Sequence, residues 1–316
     1  MFKNFKKLTP NSIIGISSTA SPCKPERLEE SLNNLTKIGL NYKLNHTPIC
    51  NYGAHFLSGD KLERASSINQ LTKDLQVDAI LASRGGYGSA DCMPLINFKD
   101  LQTRNIPIIG YSDISSLLIG FYNNHIPSIH GPNLTEEFYS YFTDKDSKVA
   151  IDQLINFLTL DTQTYSVDCK IIKNAEQSSS HAAENIEGRS LASNLTTLSS
   201  ILGTKYHPNF DQSILFIEDT GESPYRVHRM LTQLELSGAF ENLSGLILGR
   251  FYNCQSKYPP TFEEMLQDFI NQTLNKYPFP ILSNFPFGHG GLNFPICLGA
   301  KCIINNNKVI VSNIYE

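Results

Sequence analysis

Three side chains far apart in the sequence, Ser112, Glu218 and His289, have the residue types and local settings that suit nucleophilic acyl transfer. Ser112 sits in "IPIIGYSDISSLLIGF", residues 106–121, which reads as an apolar strand, a sharp bend and an apolar helix. On such a turn a hydroxyl stands clear of the sheet, and N–H groups at the helix start can stabilise a developing oxyanion. Only the first glycine of the G-x-S-x-G pattern is present, with Ile114 at the second position. Two readings therefore stand: a nucleophile, or a helix cap formed by Ser112 or Asp113. Glu218 follows four apolar residues in "SILFIEDTGESPYRVHRML", at the carboxyl end of a strand, where catalytic side chains of α/β proteins gather. Its rivals are Asp219 and Glu222, and Glu222 has a ready structural use at the start of the following helix. His289, in "FPFGHGGLNFP", is flanked by Gly288, Gly290 and Gly291 in a loop too glycine-rich for regular structure. Together the three supply a nucleophile, an orienting carboxylate and a general base.

"SRGGYGSAD", residues 83–91, puts Gly85 and Gly86 at the end of the strand "VDAILA", where glycine permits close backbone approach to a ligand. The spacing lacks the G-x-G-x-x-G of a dinucleotide site, and no P-loop Lys-Ser/Thr follows. With the strands near 80 and 108 adjacent in a parallel sheet, this turn lies beside Ser112 and lends it an N–H group. His130, in "SIHGPN", reads equally as a cleft residue or as a satisfied polar group at a strand end. No metal is expected at His289, because no second His or Cys sits at ligand spacing. Arg226 and Arg229 read as partners of surface ion pairs.

The elements that must position these groups follow from periodicity. Over the first 130 residues short apolar runs alternate with helical patterns, which implies βαβ units: an α/β layered domain with a mainly parallel sheet. In "GDKLERASSINQLTKDLQ" the positions Leu62, Ala65, Ile68, Leu71 and Leu75 mark a buried helical stripe. The pattern loosens from about 135 to 190, and the polar, serine-rich "NAEQSSSHAAENIEGRS" reads as an exposed connection. This places a boundary near 150–170, dividing residues 1–160, with the nucleophile, from 161–316, with the Glu and His. "CLGAKCIINNNKVIVSN" reads as a closing hairpin.

Composition narrows the function classes. A formal net charge of −4, with scattered lysines, lacks the basic stripe of a nucleic-acid binder, so no nucleic-acid partner is expected. No run is long enough to span a membrane. The apolar run 13–16 behind "MFKNFKK" is too short for a signal peptide. Seven dispersed cysteines without a C-x-x-C pair fit a reduced, cytoplasmic protein better than a disulfide framework or zinc cluster. A rival to the hydrolase is a non-catalytic module that holds a nucleotide or peptide at the glycine turns of the same frame.

The segments "GISSTASP", "ILASRGGYGSAD", "IIGYSDISSLL", "HGPN", "SNLTTLSSILGT", "LFIEDTGESPYRVHRMLTQL" and "FGHGGLNFPICLGAKC" span nearly the whole chain. In that order they resemble the serine LD-carboxypeptidases, or murein tetrapeptide carboxypeptidases, which include the microcin C immunity peptidases. The resemblance implies a Ser112, Glu218, His289 triad, an oxyanion hole at the N–H groups of Gly86 and Asp113, and no metal or organic cofactor. It implies an N-terminal α/β domain joined to a smaller C-terminal α/β domain, a cleft between them, and a homodimer. The implied activity is removal of the terminal D-alanine from a cytoplasmic murein tetrapeptide; the immunity-type alternative cleaves an aminoacyl-nucleotide. Arg84, Arg189 and Asn194 are candidates for substrate binding, with Arg84 equally suited to brace the glycine loop. Where the family has Gly-Gly-Asn-Leu, this chain has Ala192-Ser193-Asn194-Leu195, whose added side chains are expected to reshape the pocket.

Overall fold

The computed structural model describes residues 2–45, 50, 56–175 and 185–315. The alternating runs of the first 130 residues form five parallel strands: β1 (Ile13–Ser17), β2 (Asn41–Leu44), β3 (Val77–Ala82), β4 (Ile108–Gly110) and β5 (Ser128–His130). Between them run α1 (Pro25–Lys37), α2 (Lys61–Lys73), the short α3 (Ser89–Cys92), α4 (Phe98–Arg104) and α5 (Ser115–Asn123). β4 and β5 are wholly buried, and β3 nearly so, as helices on both faces of a parallel sheet require.

α2 begins at a capping box, in which Asp60 accepts from the Glu63 N–H at 2.9 Å and Glu63 accepts from the Asp60 N–H at 2.8 Å. That start corrects the expected stripe. Ala65, Ile68 and Leu71 are buried, but Leu62 in the first turn and Leu75 beyond the helix end are 62% and 82% exposed. Their places on the inner side go to Arg64, Ser67 and Thr72, which periodicity of apolar residues does not register.

After α6 (Lys145–Leu158) a second sheet is built from β6 (Thr164–Asp168), β7 (Lys170–Lys173), β8 (Ile186–Asn194), β9 (Ser213–Thr220), β10 (Gly245–Tyr252) and β11 (Ile281–Ser283). α7 (Leu195–Ile201), α8 (Pro224–Leu236) and α9 (Phe262–Gln272) connect its parallel centre. Of the anticipated exposed connection, residues 176–184 lie outside the described residues, while its tail from Ile186 is the start of β8. The chain ends with β12 (Ile296–Leu298) and the expected hairpin of β13 (Lys301–Asn305) and β14 (Lys308–Ser312).

The second sheet has eight strands in the order β6-β14-β13-β8-β9-β10-β11-β7, against six in the first. The expectation of a smaller C-terminal domain is therefore corrected. β6 and β7 stand at opposite ends of this order yet are separated in the chain only by Cys169, so the sheet curls until its edges approach. β12 belongs to the other sheet: it pairs antiparallel with β5, Ile296 opposite His130. The chain thus leaves the second sheet at β11, crosses in the loop 284–295 and re-enters the first.

Aromatic packing supports that crossing. The Phe216 ring on β9 meets Phe285 at 5.1 Å and Phe287 at 5.9 Å, both edge-on, and all three side chains have no exposed surface. Phe287→Ala is expected to destabilise the fold by about 3–5 kcal/mol, as a buried ring lost without collapse does. Urea denaturation measures this, and a change below about 1 kcal/mol would show that the crossing does not depend on the cluster.

Candidate active site

The structure brings Ser112, the Gly85–Gly86 turn, Glu218 and His289 to one region between the two sheets. β4 lies beside β3 in parallel, so the turn after β3 adjoins the turn after β4. Ser112 opens a 3₁₀ turn, Ser112–Ile114, that runs directly into α5. Its φ of +63° is left-handed, a strained conformation for a residue with a side chain and a feature that gathers at functional sites. The backbone of Gly85 passes so close that a Cβ there would lie 2.7 Å from Ser112 Cβ and 3.0 Å from its Oγ. Gly86 follows at φ +108°. Among the described residues its N–H has no hydrogen-bond acceptor, and an N–H at the start of a helical turn, such as that of Asp113, has no partner within the turn.

Asp113 turns its side chain away, accepting from the Ser89 N–H at 2.7 Å. Burial raises the pKa of that carboxyl, against the hydrogen bonds from Ser89. The helix cap foreseen for Ser112 or Asp113 is not what either side chain does, since α5 has no side-chain cap.

Glu218, near the carboxyl end of β9, has no exposed surface. Its Oε2 accepts from His289 Nδ1 at 2.7 Å and from the His289 backbone N–H at 3.1 Å, and its Oε1 accepts from Asn194 Nδ2 at 3.2 Å. Gly288 makes room for this, because a Cβ there would fall 2.3 Å from Glu218 Cγ. With Nδ1–H held by the carboxylate, the neutral imidazole presents Nε2 as a base. Burial pulls the His289 pKa down, but the hydrogen bond and charge of Glu218, with Glu137 and Asp219 behind it, outweigh burial and leave it raised above 6.5. No hydrogen bond joins Ser112 to His289 in this structure. Tyr111, the residue before Ser112, packs its ring 5.0 Å from the imidazole. Such bonds tighten when substrate is bound.

The tentative substrate ligands have other places. Asn194 is 5% exposed: its Nδ2 also donates to Asp219 Oδ1 at 3.0 Å, and its Oδ1 caps α7 by accepting from the Thr197 N–H at 3.1 Å. It braces two carboxylates and a helix, and Asp219, pushed up to about 6 by burial, is further held by Thr196. Arg189 is exposed in the first half of β8, opposite Ser213, five positions before Asn194 opposite Glu218; the structure does not bring it to the site. Arg84 braces the loop before α1, donating to the Pro22 carbonyl oxygen at 2.9 Å. Ala192 and Ser193 are wholly buried, so their added atoms are taken up in the packed interior of the sheet.

His130 is also wholly buried, packed between Tyr111 and Phe287 with neither ring nitrogen hydrogen-bonded among the described residues. Burial lowers its pKa to about 4, so it is a neutral packing group and not a solvent-facing cleft residue. Arg226 forms an exposed ion pair with Glu222 at 3.4 Å. Sequence reasoning missed Asn133, Glu137 and Asn293, buried polar residues around the site, and no residue-type spacing marks them.

A strained serine beside a glycine turn, next in the chain to a tyrosine packed on a histidine whose Nδ1 is held by a buried carboxylate, on an α/β frame, has the parts of a serine hydrolase. Residues 14–131 match the LD-carboxypeptidase N-terminal domain and residues 187–304 the LD-carboxypeptidase C-terminal domain. The chain belongs to the LD-carboxypeptidase family, and it is a serine peptidase. It is similar to a putative carboxypeptidase of Synechocystis, at 33% identity over 81% of this chain and 79% of that one. It is also similar to a probable murein peptide carboxypeptidase of Bacillus subtilis, at 28% identity over 95% of this chain and 91% of that one. Among solved structures, the microcin C7 self-immunity protein MccF in complex with aspartyl sulfamoyl adenosine has a TM-score of 0.83 at 24% identity, with 99% of both chains covered. A mutant MccF of the same fold is in complex with adenosine monophosphate. These complexes correct the exclusion of nucleic-acid-related partners, which rested on net charge and the lack of a basic stripe. Among the described residues no helix is long and apolar enough to cross a membrane, and no cluster of His, Cys, Asp and Glu is suited to a metal ion.

Gly85→Ala tests the tight packing at the serine. Displacing Ser112 by even a fraction of an ångström is expected to slow its labelling by a fluorophosphonate at least about 10-fold, with the fold retained. Labelling at the wild-type rate would show that the close approach has no bearing on the serine.

Proposed function

We propose that this protein hydrolyses the amide bond of a small peptide-like substrate through an acyl-enzyme on Ser112. The observation that carries the reading is the 2.7 Å hydrogen bond between buried Glu218 and His289, whose ring packs on Tyr111 next to the strained serine. Neutral His289 takes the hydroxyl proton as Ser112 Oγ attacks the carbonyl carbon; the N–H groups of Gly86 and Asp113 meet the oxyanion. The imidazolium, stabilised by Glu218, returns the proton to the leaving amine. Water, deprotonated by the same histidine, then releases the acid and restores the serine.

Two substrate readings have support. Cleavage of the terminal D-alanine from a murein tetrapeptide in the cytoplasm is favoured by the family and by the Bacillus relative. Cleavage of an aminoacyl-nucleotide is favoured by the fold match to MccF, whose solved complexes hold nucleotide-derived ligands.

Incubation with each substrate class, read by mass spectrometry, separates them: free D-alanine marks the first, a free nucleotide portion the second. Either release must vanish in Ser112→Ala, which is also expected to lose all fluorophosphonate labelling. A folded wild-type protein that is never labelled would overturn the hydrolase and favour a binding module.

The state of His289 sets the pH dependence. Activity needs the neutral ring, so the rate is expected to rise with pH through a midpoint above 6.5. The folded-state stabilisation from the same raised pKa runs the other way, complete at low pH and fading as pH climbs through that midpoint. Glu218→Gln removes the anion and the tautomer lock, and is expected to lower the midpoint and cut the rate by about 10³–10⁴. An unmoved midpoint in the pH profile of that variant would reject Glu218 as the partner of the base.

A further inference from the structure

Glu137 lies in the single π-helical turn Leu134–Phe138 that follows β5, and its side chain is buried although the reaction written above does not use it. A buried carboxylate without function is costly, so its partners carry information. Its Oε2 accepts from the Asn133 N–H at 3.0 Å and its Oε1 from Asn293 Nδ2 at 3.1 Å. Each of those asparagines holds one half of the site. Asn133 Oδ1 accepts from the Tyr111 N–H at 3.3 Å, one residue before Ser112. Asn293 Oδ1 accepts from the Gly288 N–H at 2.9 Å, one residue before His289. Asn133 and Asn293 are themselves 1% and 0% exposed, so no solvent competes for these bonds.

We propose that Glu137 is a positioning residue whose carboxylate ties the Ser112 turn to the His289 loop, fixing the spacing of nucleophile and base across the two sheets. The inference rests on the hydrolase reading. It explains how Ser112 and His289 keep their register without a direct hydrogen bond: the backbone N–H of Asn133 and the side-chain amide of Asn293 converge on one anion, and the side-chain oxygen of each asparagine holds the backbone next to a reacting residue. Both carboxylate oxygens accept N–H donors, so glutamine cannot replace it, because its amide nitrogen would face a donor at one of the two contacts.

Glu137 also acts on the base electrostatically. The groups facing His289 are Glu218 and Asp219 from β9, Glu137 from the turn after β5, neutral His130 from β5 and the Tyr111 ring after β4. Those facing Glu137 are Glu136 on its own turn and the Tyr111 phenol, whose proton burial and nearby carboxylates hold firmly in place.

The test follows the rate of fluorophosphonate labelling of Ser112 against pH in wild type, Glu137→Gln, Asn293→Ala and the double variant, with thermal melts to show that each is folded. Glu137→Gln is expected to slow labelling at saturating probe by about 10- to 100-fold, the scale of a small misplacement of reacting groups. Its acid-limb midpoint is expected to fall, because one of the negative charges favouring the imidazolium is gone. Asn293→Ala, which opens the link but keeps the charge, is expected to slow labelling similarly and leave the midpoint near that of wild type. The double variant is expected to fall no further than Glu137→Gln alone, as members of one chain of contacts do.

A Glu137→Gln protein with wild-type rate and midpoint, or losses that multiply in the double variant, would overturn the inference. If Glu137→Gln does not fold, Asn293→Ala decides, and an undiminished rate there is enough to reject the link. A wild-type protein that is not labelled at all rejects the hydrolase reading and this inference with it, whereas a labelled wild type beside an unaffected Glu137→Gln rejects the inference alone.

Discussion

A carboxylate with no exposed surface, that of Glu218, is the constraint on which the site depends. Removing one partner from a buried charge leaves it uncompensated at a cost of about 3–5 kcal/mol, so its donors are held as firmly as the core. Here the donors are the imidazole and backbone N–H of His289 and the amide of Asn194. Each imposes a requirement elsewhere. The histidine loop must bend at Gly288 to admit the carboxylate, and Asn194 must stand at the start of α7, where its oxygen caps the helix and its nitrogen bridges Glu218 to Asp219. Catalytic geometry and folding energy are thus supplied by the same contacts.

The route of the chain solves a harder problem, that of joining a serine on one sheet to a carboxylate on the other. Loop 284–295 leaves the second sheet after β11 and ends in β12, which pairs with β5 of the first. His289 therefore sits on a span anchored at both ends, with Phe285 and Phe287 packed against Phe216 beneath it. Three residues from the far end of the chain, β12, complete the first sheet. Had the crossing been a free hinge, the distance from Ser112 to His289 would vary with every movement of the domains. β12 removes that freedom.

What the sequence made legible follows the same logic. Ser112, Glu218 and His289 stood out because each occupies a setting that local rules describe: a strand-to-helix bend, a strand end, a glycine-rich loop. The parallel order of β1 to β5 followed from alternation, and the closing hairpin from its asparagines. Size and direction were not legible. The tail of the supposed connection around Arg189 carries no apolar alternation, and becomes a strand by pairing with β13 and β9, partners distant in sequence. The smaller C-terminal domain was implied by the family resemblance and not read from these segments, and Arg189, proposed for substrate binding, stands five positions along β8 from Asn194. Glu137 and Asn293 were invisible for another reason. A buried polar residue is identified by its partner, and these partners lie 156 positions apart.

Net charge misled because it speaks to long-range attraction and not to recognition in a cleft. A basic stripe is needed to hold a polyanionic strand, where each phosphate contributes. A single nucleotide joined to an amino acid brings at most a short stretch of charge, and its base binds through a flat, desolvated face. The buried groups around Glu218 touch only one another and the base, so contact with any ligand falls to side chains that reach solvent. Two described tyrosines have that character: Tyr87, 66% exposed and next to Gly86, and Tyr252, 47% exposed and packed over Gly290. One flanks the oxyanion side and the other the histidine side. The contacts that hold the base are thus set apart from the side chains that reach solvent beside it.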